Sequence, residues 1–399
     1  MIDFFEFQSR TKILSGRGAL LRMANEIRLL GGSRILLISD ETLKNLGMTE
    51  RICSVLQSED LLVPEIFTDV PTDSSLSVAN RIAEMCRNRN IDAIVALGGG
   101  SVIDTSKGVR MILSQKSDDI IKLSGYEGLP AGSRIPLCII PTTSGTGSEV
   151  TGVAVIRDES RDLKLEFIST NIQPDIAVLD PEMTISMPPK VTASTGMDAL
   201  CHAVEGYTCL QKNPLSDAYA TTALRLISEN LLKATKDGSD KDARIAMANA
   251  ALMAGISFSN SMVGIVHGIG HALGAVSRVP HGVAMNILLP HCMMYNMDVC
   301  GEGYADLLLY LAGPEVYAAT PKSDRAGACV RFIRHLSEQL HTLCGLPLTL
   351  SEAGVSGEDF EKIAEASLRD GANLVNPKYV DRDVILSILK KAYRYGEIC

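Results

Sequence analysis

Asp198 and His202 stand four residues apart in a stretch of helical periodicity, so both side chains face one side of a helix. His267 and His271 repeat that spacing, and His281 follows ten residues after His271, directly before Gly282. Carboxylate and imidazole groups converging in an aliphatic, glycine-rich setting (residues 263–276, VGIVHGIGHALGAV) suit a divalent d-block cation. Spacing alone does not say which of His267, His271 and His281 would ligate; the i, i+4 pair is the naive choice. The other three of the seven histidines, His291, His335 and His341, have ordinary settings. The last two fall in an amphipathic helical pattern at 326–343, on or near its surface.

A second set of residues suits a nucleotide. Gly98, Gly99, Gly100 and Ser101 directly follow an apolar run and precede a helical one. Glycines let a phosphate approach the backbone, and a helix N-terminus offers amide donors and positive dipole. The motif is not GxGxxG, because Ile103 stands where the last glycine would be. Hydroxyls and glycines gather again at residues 141–149 (PTTSGTGSE), after the next apolar run, as a crevice at strand C-termini requires. Asp40 ends the first apolar run. A carboxylate there can accept from an adenine ribose and repel a 2′-phosphate, or it can simply cap the helix that follows. Gly268 and Gly270 imitate a dinucleotide fingerprint, but Leu273 stands where it needs glycine.

The elements that must carry these residues change character along the chain. Strands are expected at 34–39, 91–97, 135–140 and 177–179, and helices at 19–30, 43–57, 76–87 and 103–113. Apolar-throughout strands alternating with helices predict a parallel sheet covered on both faces. A hairpin is expected at 153–157 and 164–168, around the charged turn 158–162. Residues 180–190 (DPEMTISMPPK) read as a linker. Beyond it come helical patterns at 193–208, 216–234, 242–259, 326–343 and 358–368, with no convincing strand. Two domains are expected, 1–188 and 189–399, and the acidic run 358–365 is a solvated helical face. The early run 4–14 is a candidate edge or exchanged strand at a subunit interface.

Composition narrows the function classes. The chain has 399 residues, 46% of them hydrophobic and 21% charged, ample for a large core. Only 5% are aromatic and none is Trp, so that core is aliphatic. Net charge is −9, and no basic block exceeds a dipeptide, so nucleic acid is not an expected partner. Ten cysteines occur without a CxxC pair, which predicts reduced thiols and no zinc ribbon. The first residues lack a signal-peptide pattern and no apolar run spans a bilayer, so a soluble, cytoplasmic protein with no membrane partner is expected.

The sequence resembles the iron-containing (group III) alcohol dehydrogenases over nearly its whole length. The resemblance is carried by GGGSVIDTSK at 98–107, PTTSGTGSEVT at 141–151, TGMDALCHAVEGY at 195–207, and the stretch from His267 through His271 to Pro280, His281 and Gly282. It implies an N-terminal Rossmann-like α/β domain and an all-α C-terminal domain, the dehydroquinate synthase-like fold, with the site in the cleft between. It selects Asp198, His202, His267 and His281 as metal ligands and leaves His271 beside the metal, toward the nicotinamide, correcting the naive pair. Gly98, Gly99, Gly100, Ser101, Asp104, Thr142, Thr143 and Thr146 match cofactor-contacting motifs of the family. Lys164 matches a cofactor-side lysine, and Asp40 the position where an acid favours NAD. The segment usually read V-x-P-N-P is here Val70, Pro71, Thr72, Asp73 and Ser74, which removes an asparagine the family often places near the adenine.

The expected activity is metal-dependent interconversion of a primary, short-chain aliphatic alcohol and its aldehyde with NAD(H). Fe²⁺ is the family's metal, and Zn²⁺ suits the same ligands. His271 is the candidate proton relay. By motif position, Val153, Phe258 and Val263 line an apolar substrate pocket. The alternatives are a glycerol-dehydrogenase-like polyol or hydroxy-acid enzyme of the same superfamily, a metallohydrolase, which would not need a glycine-rich nucleotide crevice, and a non-catalytic interaction protein, which would not need intact ligand and cofactor motifs. The family also implies a homodimer or a larger homo-oligomer.

Overall fold

A computed structural model describes residues 4–124, 134–161, 163–394 and 396. The chain forms two compact units, Ser9–Ser186 and Met187–Cys399, the latter joined by the first eight residues. Placing residues 4–8 with the helical unit departs from the sequence expectation, and the cause is local. Gln8 donates its backbone N–H to Asn260 Oδ1 at 2.7 Å, and the Phe7 ring stacks on Tyr219.

Among its described residues the α/β unit holds eight strands: β1 (Lys12–Ser15), β2 (Arg34–Ile38), β3 (Leu62–Phe67), β4 (Ala93–Gly98), β5 (Leu137–Pro141), β6 (Val153–Asp158), β7 (Leu163–Ile168) and β8 (Ile176–Leu179). Six of them form a parallel sheet in the order β1-β8-β5-β4-β2-β3. The expected hairpin is present as the antiparallel pair β6–β7, with Val153 opposite Ile168; Asp162 of its turn lies outside the described residues. The early run contributes only β1, at one edge of the sheet, and residues 4–11 are not strand.

Helices α1 (Met23–Leu29), α2 (Glu41–Asn45), α3 (Met48–Gln57), α4 (Leu76–Asn88) and α5 (Gly100–Ser114) cover this sheet. Alternate strand residues feed two separate cores, as the period-2 geometry of a strand dictates. Leu36, Ile38, Ile94, Ala96 and Ile139 pack with α4 and α5 residues on one face. Ile35, Leu37, Val95, Leu97 and Ile140 pack with α1 and α3 residues on the other. The single helix expected at 43–57 is two, α2 and α3, because Gly47 takes a left-handed φ of 72°. The chain runs from β2 out to β3, then returns to place β4 on the other side of β2. This reversal opens a crevice at the C-terminal ends of β2 and β4, where Asp40 and Gly98 both lie.

The second unit contains only helices among its described residues. They are α6 (Pro189–Thr208), α7 (Pro214–Lys236), α8 (Lys241–Ser259), α9 (Ile265–Ser277), α10 (His281–Ala312), α11 (Pro314–Ala319), α12 (Arg325–Cys344), α13 (Phe360–Ser367) and α14 (Arg382–Tyr393). One aliphatic core runs through it, including Met197, Leu200, Leu224, Ile269, Met285, Leu288 and Ile333. No helix among the described residues is long and apolar enough to cross a membrane.

Candidate active site and metal centre

Three helices of the second unit supply the residues singled out as metal ligands. Asp198 and His202 lie one turn apart on α6, His267 lies in the first turn of α9, and His281 is the first residue of α10. One donor atom from each lies within 4.8 Å of the others. Around Asp198 Oδ1 sit His281 Nε2 at 3.2 Å, His202 Nδ1 at 3.9 Å and His267 Nε2 at 4.0 Å. Asp198, His202 and His267 are buried, whereas the His281 side chain is 37% exposed, which leaves the cluster open on that side. Gly282 permits this placement: a Cβ there would come within 2.3 Å of the Ser194 carbonyl oxygen on α6.

The donor set fits a cation. Asp198 Oδ1, His202 Nδ1 and His267 Nε2 are buried and make no hydrogen bond among the described residues. Each such orphan costs about 1–3 kcal/mol, and a cation at their common focus would satisfy all three at once. The charges lean the same way. Burial pushes the Asp198 carboxyl up, but His202, His281 and His267 outweigh burial and hold it well below the usual carboxylate range. Burial drives His202 down to about 3 and holds His267 far below the imidazole range, so both rings are neutral donors.

His271 does not join this focus. Its ring centroid lies 5.4 Å from that of His281 and 5.7 Å from that of His267. Its Nδ1 is 2.8 Å from Asp370 Oδ2, and Asp370 is itself fixed by accepting from the Ala372 N–H. Sequence reasoning missed Asp370, which lies 99 residues away with no local signal. It also missed Glu205, whose Oε2 is 2.5 Å from His267 Nδ1. Asp198, His202 and Glu205 follow an i, i+4, i+7 pattern that marks one helix face, so that signal was available.

The nucleotide-type residues gather in the α/β unit. Gly99 caps α5 without a side chain, leaving the first-turn amides uncapped. A Cβ on Gly99 or Gly100 would press on Thr143 or Thr146 at 3.3 and 3.1 Å, so the glycines keep a cradle open beside the hydroxyl loop. Thr142 donates its N–H to the Gly98 carbonyl, tying this loop to β4. Several residues matched to cofactor contacts also have partners within the protein. Asp40 Oδ1 accepts from the Leu43 N–H, so the capping role is real. Asp104 accepts from Ser148 Oγ and the Val155 N–H, and Ser101 Oγ donates to the Thr72 carbonyl. Lys164 pairs with Asp73 at 3.0 Å, in the segment that departs from the family pattern. Buried Lys107 donates to Ser148 Oγ, Thr151 Oγ1 and the Val153 carbonyl, fastening the hydroxyl loop to α5.

Of the residues expected at a substrate pocket, Phe258 stacks on His202 with centroids 4.3 Å apart. Val263 directly precedes Gly264, the N-cap of α9, and Val153 opens β6 in the α/β unit. The His335 side chain is 67% exposed.

Comparison with known proteins places the chain in a family. The family model described as iron-containing alcohol dehydrogenase matches residues 10–181. The model for the C-terminal part of the Fe-containing alcohol dehydrogenase family matches 192–393. The NAD-dependent methanol dehydrogenase of Bacillus methanolicus is 33% identical over 94% of this chain and 97% of its own. The crystal structure of a 1,3-propanediol oxidoreductase superposes with a TM-score of 0.93 at 33% identity, covering 98% of this chain and 100% of that one. A sulfoacetaldehyde reductase from Bifidobacterium kashiwanohense, solved in complex with NAD⁺, superposes with a TM-score of 0.86 at 25% identity, covering 98% of each.

Proposed function

The chain belongs to the iron-containing alcohol dehydrogenase family, and from that premise we propose that it interconverts a primary, short-chain aliphatic alcohol and its aldehyde with NAD(H). The observation that carries the proposal is the cluster of Asp198, His202, His267 and His281 with its unsatisfied, inward atoms. These four residues would hold the metal, Fe²⁺ by family, with Zn²⁺ also suited to carboxylate and imidazole ligands. The metal supplies Lewis acidity to the alcohol oxygen, and NAD supplies the hydride acceptor.

The chain's own residues do the rest. Asp370 holds the Nδ1 edge of His271, which makes Nε2 the nitrogen that takes the hydroxyl proton. Gly98, Gly99, Gly100, Ser101 and the Thr142, Thr143 and Thr146 loop receive the pyrophosphate through backbone amides and hydroxyls. Asp104 and Lys107 hold that loop in place. Lys164 serves the cofactor side, and Asp40 disfavours a 2′-phosphate. Val153, Phe258 and Val263 present hydrocarbon to the substrate, which favours aliphatic alcohols over polyols.

The test is metal analysis of the purified chain with NAD-linked oxidation of ethanol, 1-butanol and glycerol. The native chain is expected to oxidise 1-butanol well above glycerol. His267→Ala is expected to lose metal and activity together while keeping its far-UV circular dichroism. Full activity in a metal-free His267→Ala variant would falsify the site.

A further inference from the structure

We infer that Glu205 is a positioning residue for the metal: it fixes His267 with its Nε2 lone pair aimed at the Asp198 side of the cluster. The inference rests on the metal site proposed above. Glu205 is buried on α6, on the face that carries Asp198 and His202. Its Oε2 lies 2.5 Å from His267 Nδ1, and its Oε1 accepts from the Val266 N–H at 2.8 Å. As a carboxylate, Glu205 only accepts, and the hydrogen of the neutral imidazole then sits on Nδ1. The lone pair is then on Nε2, the atom that has no hydrogen bond among the described residues and faces Asp198 Oδ1 at 4.0 Å. A carboxylate on the far nitrogen also makes an imidazole a stronger donor and stops the ring from turning.

Two features separate this role from mere helix capping. Asn376 Oδ1 accepts from the Ile265 N–H, so the N-terminus of α9 has a second cap independent of Glu205. The backbone also leaves room for the carboxylate: a Cβ on Gly264 would come within 3.0 Å of Glu205 Oε1.

Glu205→Gln is nearly isosteric but has one acceptor oxygen for two donors, Val266 N–H and His267 Nδ1–H. If the oxygen serves Val266, the amide N–H faces Nδ1 and drives the imidazole hydrogen onto Nε2. The readout is zinc affinity of the full-length protein by competition with a chelator, beside NADH affinity by fluorescence quenching. Glu205→Gln is expected to bind zinc about 10–100-fold more weakly, with NADH affinity unchanged. Asn376→Ala, which removes a cap without touching His267, is expected to lower the melting temperature and keep zinc affinity within twofold. Zinc affinity within twofold of native in Glu205→Gln overturns the inference. A native chain that binds no zinc overturns the metal site itself, a distinguishable failure. If Glu205→Gln does not fold, nitrogen-15 NMR of the zinc-loaded native protein decides: a protonated Nδ1 on His267 supports the inference, and a protonated Nε2 overturns it.

Discussion

At the scale of single residues, several polar side chains proposed to meet a ligand also have partners within the protein. Asp40 caps α2 through Oδ1 at the crevice between β2 and β4, where its charge would also meet an adenine ribose. The two tasks can be separated, because capping needs an acceptor oxygen and discrimination needs a negative charge. Serine caps about as well as aspartate. Asp40→Ser is therefore expected to keep the native melting temperature within a few degrees. It should also shift the NAD/NADP preference by about tenfold toward NADP, which is roughly the 1.4 kcal/mol that a nearby charge is worth. Ratios of kcat/KM for the two cofactors measure this, and an unchanged ratio would leave Asp40 with capping alone. The same doubling explains what was legible at this scale. Asp198, His202, His267 and His281 stood out by residue type, but spacing favoured His271 over His281, and only the family resemblance reversed that choice. Asp370 was invisible because its partner lies far along the chain, and Glu205 was passed over although its helical phase matched the ligands.

At the scale of elements, the ligand focus depends on how the start of α10 meets α6. That approach needs Gly282, whose missing side chain leaves room for the Ser194 carbonyl. Gly282→Ala forces one helix to shift, an overpacking cost of about 1–3 kcal/mol. Since His281 is the adjacent residue, zinc affinity is expected to fall together with the melting temperature. A drop in stability with unchanged affinity would show that α10 absorbs the strain beyond His281. Patterns strong enough to read from sequence were those with one clean period. The apolar strands β2, β4, β5 and β8 and the amphipathic helices α4, α7 and α12 all belong to that class. β3 was missed because Leu62–Phe67 contains Pro64 and exposes every other residue from Leu62 to Ile66; it lies on a sheet edge, where proline is tolerated. The helical patterns named from sequence did not include α9 and α10, whose starts carry glycine and proline. In the packed unit those glycines give Asn373, Met285 and Ser194 their space.

At the scale of the whole molecule, the residues proposed for the two kinds of ligand lie in different parts of the chain. The four candidate metal ligands lie within Met187–Cys399, and the glycine cradle with its hydroxyl loop lies within Ser9–Ser186. A ligand present at a hundredfold excess over its Kd stabilises the state that binds it by about 2.7 kcal/mol. Zinc without cofactor should therefore slow amide exchange in α6, α9 and the start of α10. NADH without metal should slow it at residues 98–101 and 141–148. Hydrogen-exchange mass spectrometry reads both patterns, and equal protection of both units by zinc alone would contradict this division. The division also has a consequence for engineering. Because the candidate metal ligands span only residues 198–281, a chimaera that takes residues 9–186 from an NADP-using relative should inherit its redox currency from the donor and keep its own metal chemistry. Coenzyme choice and metal choice are then separately inheritable traits, open to selection one at a time.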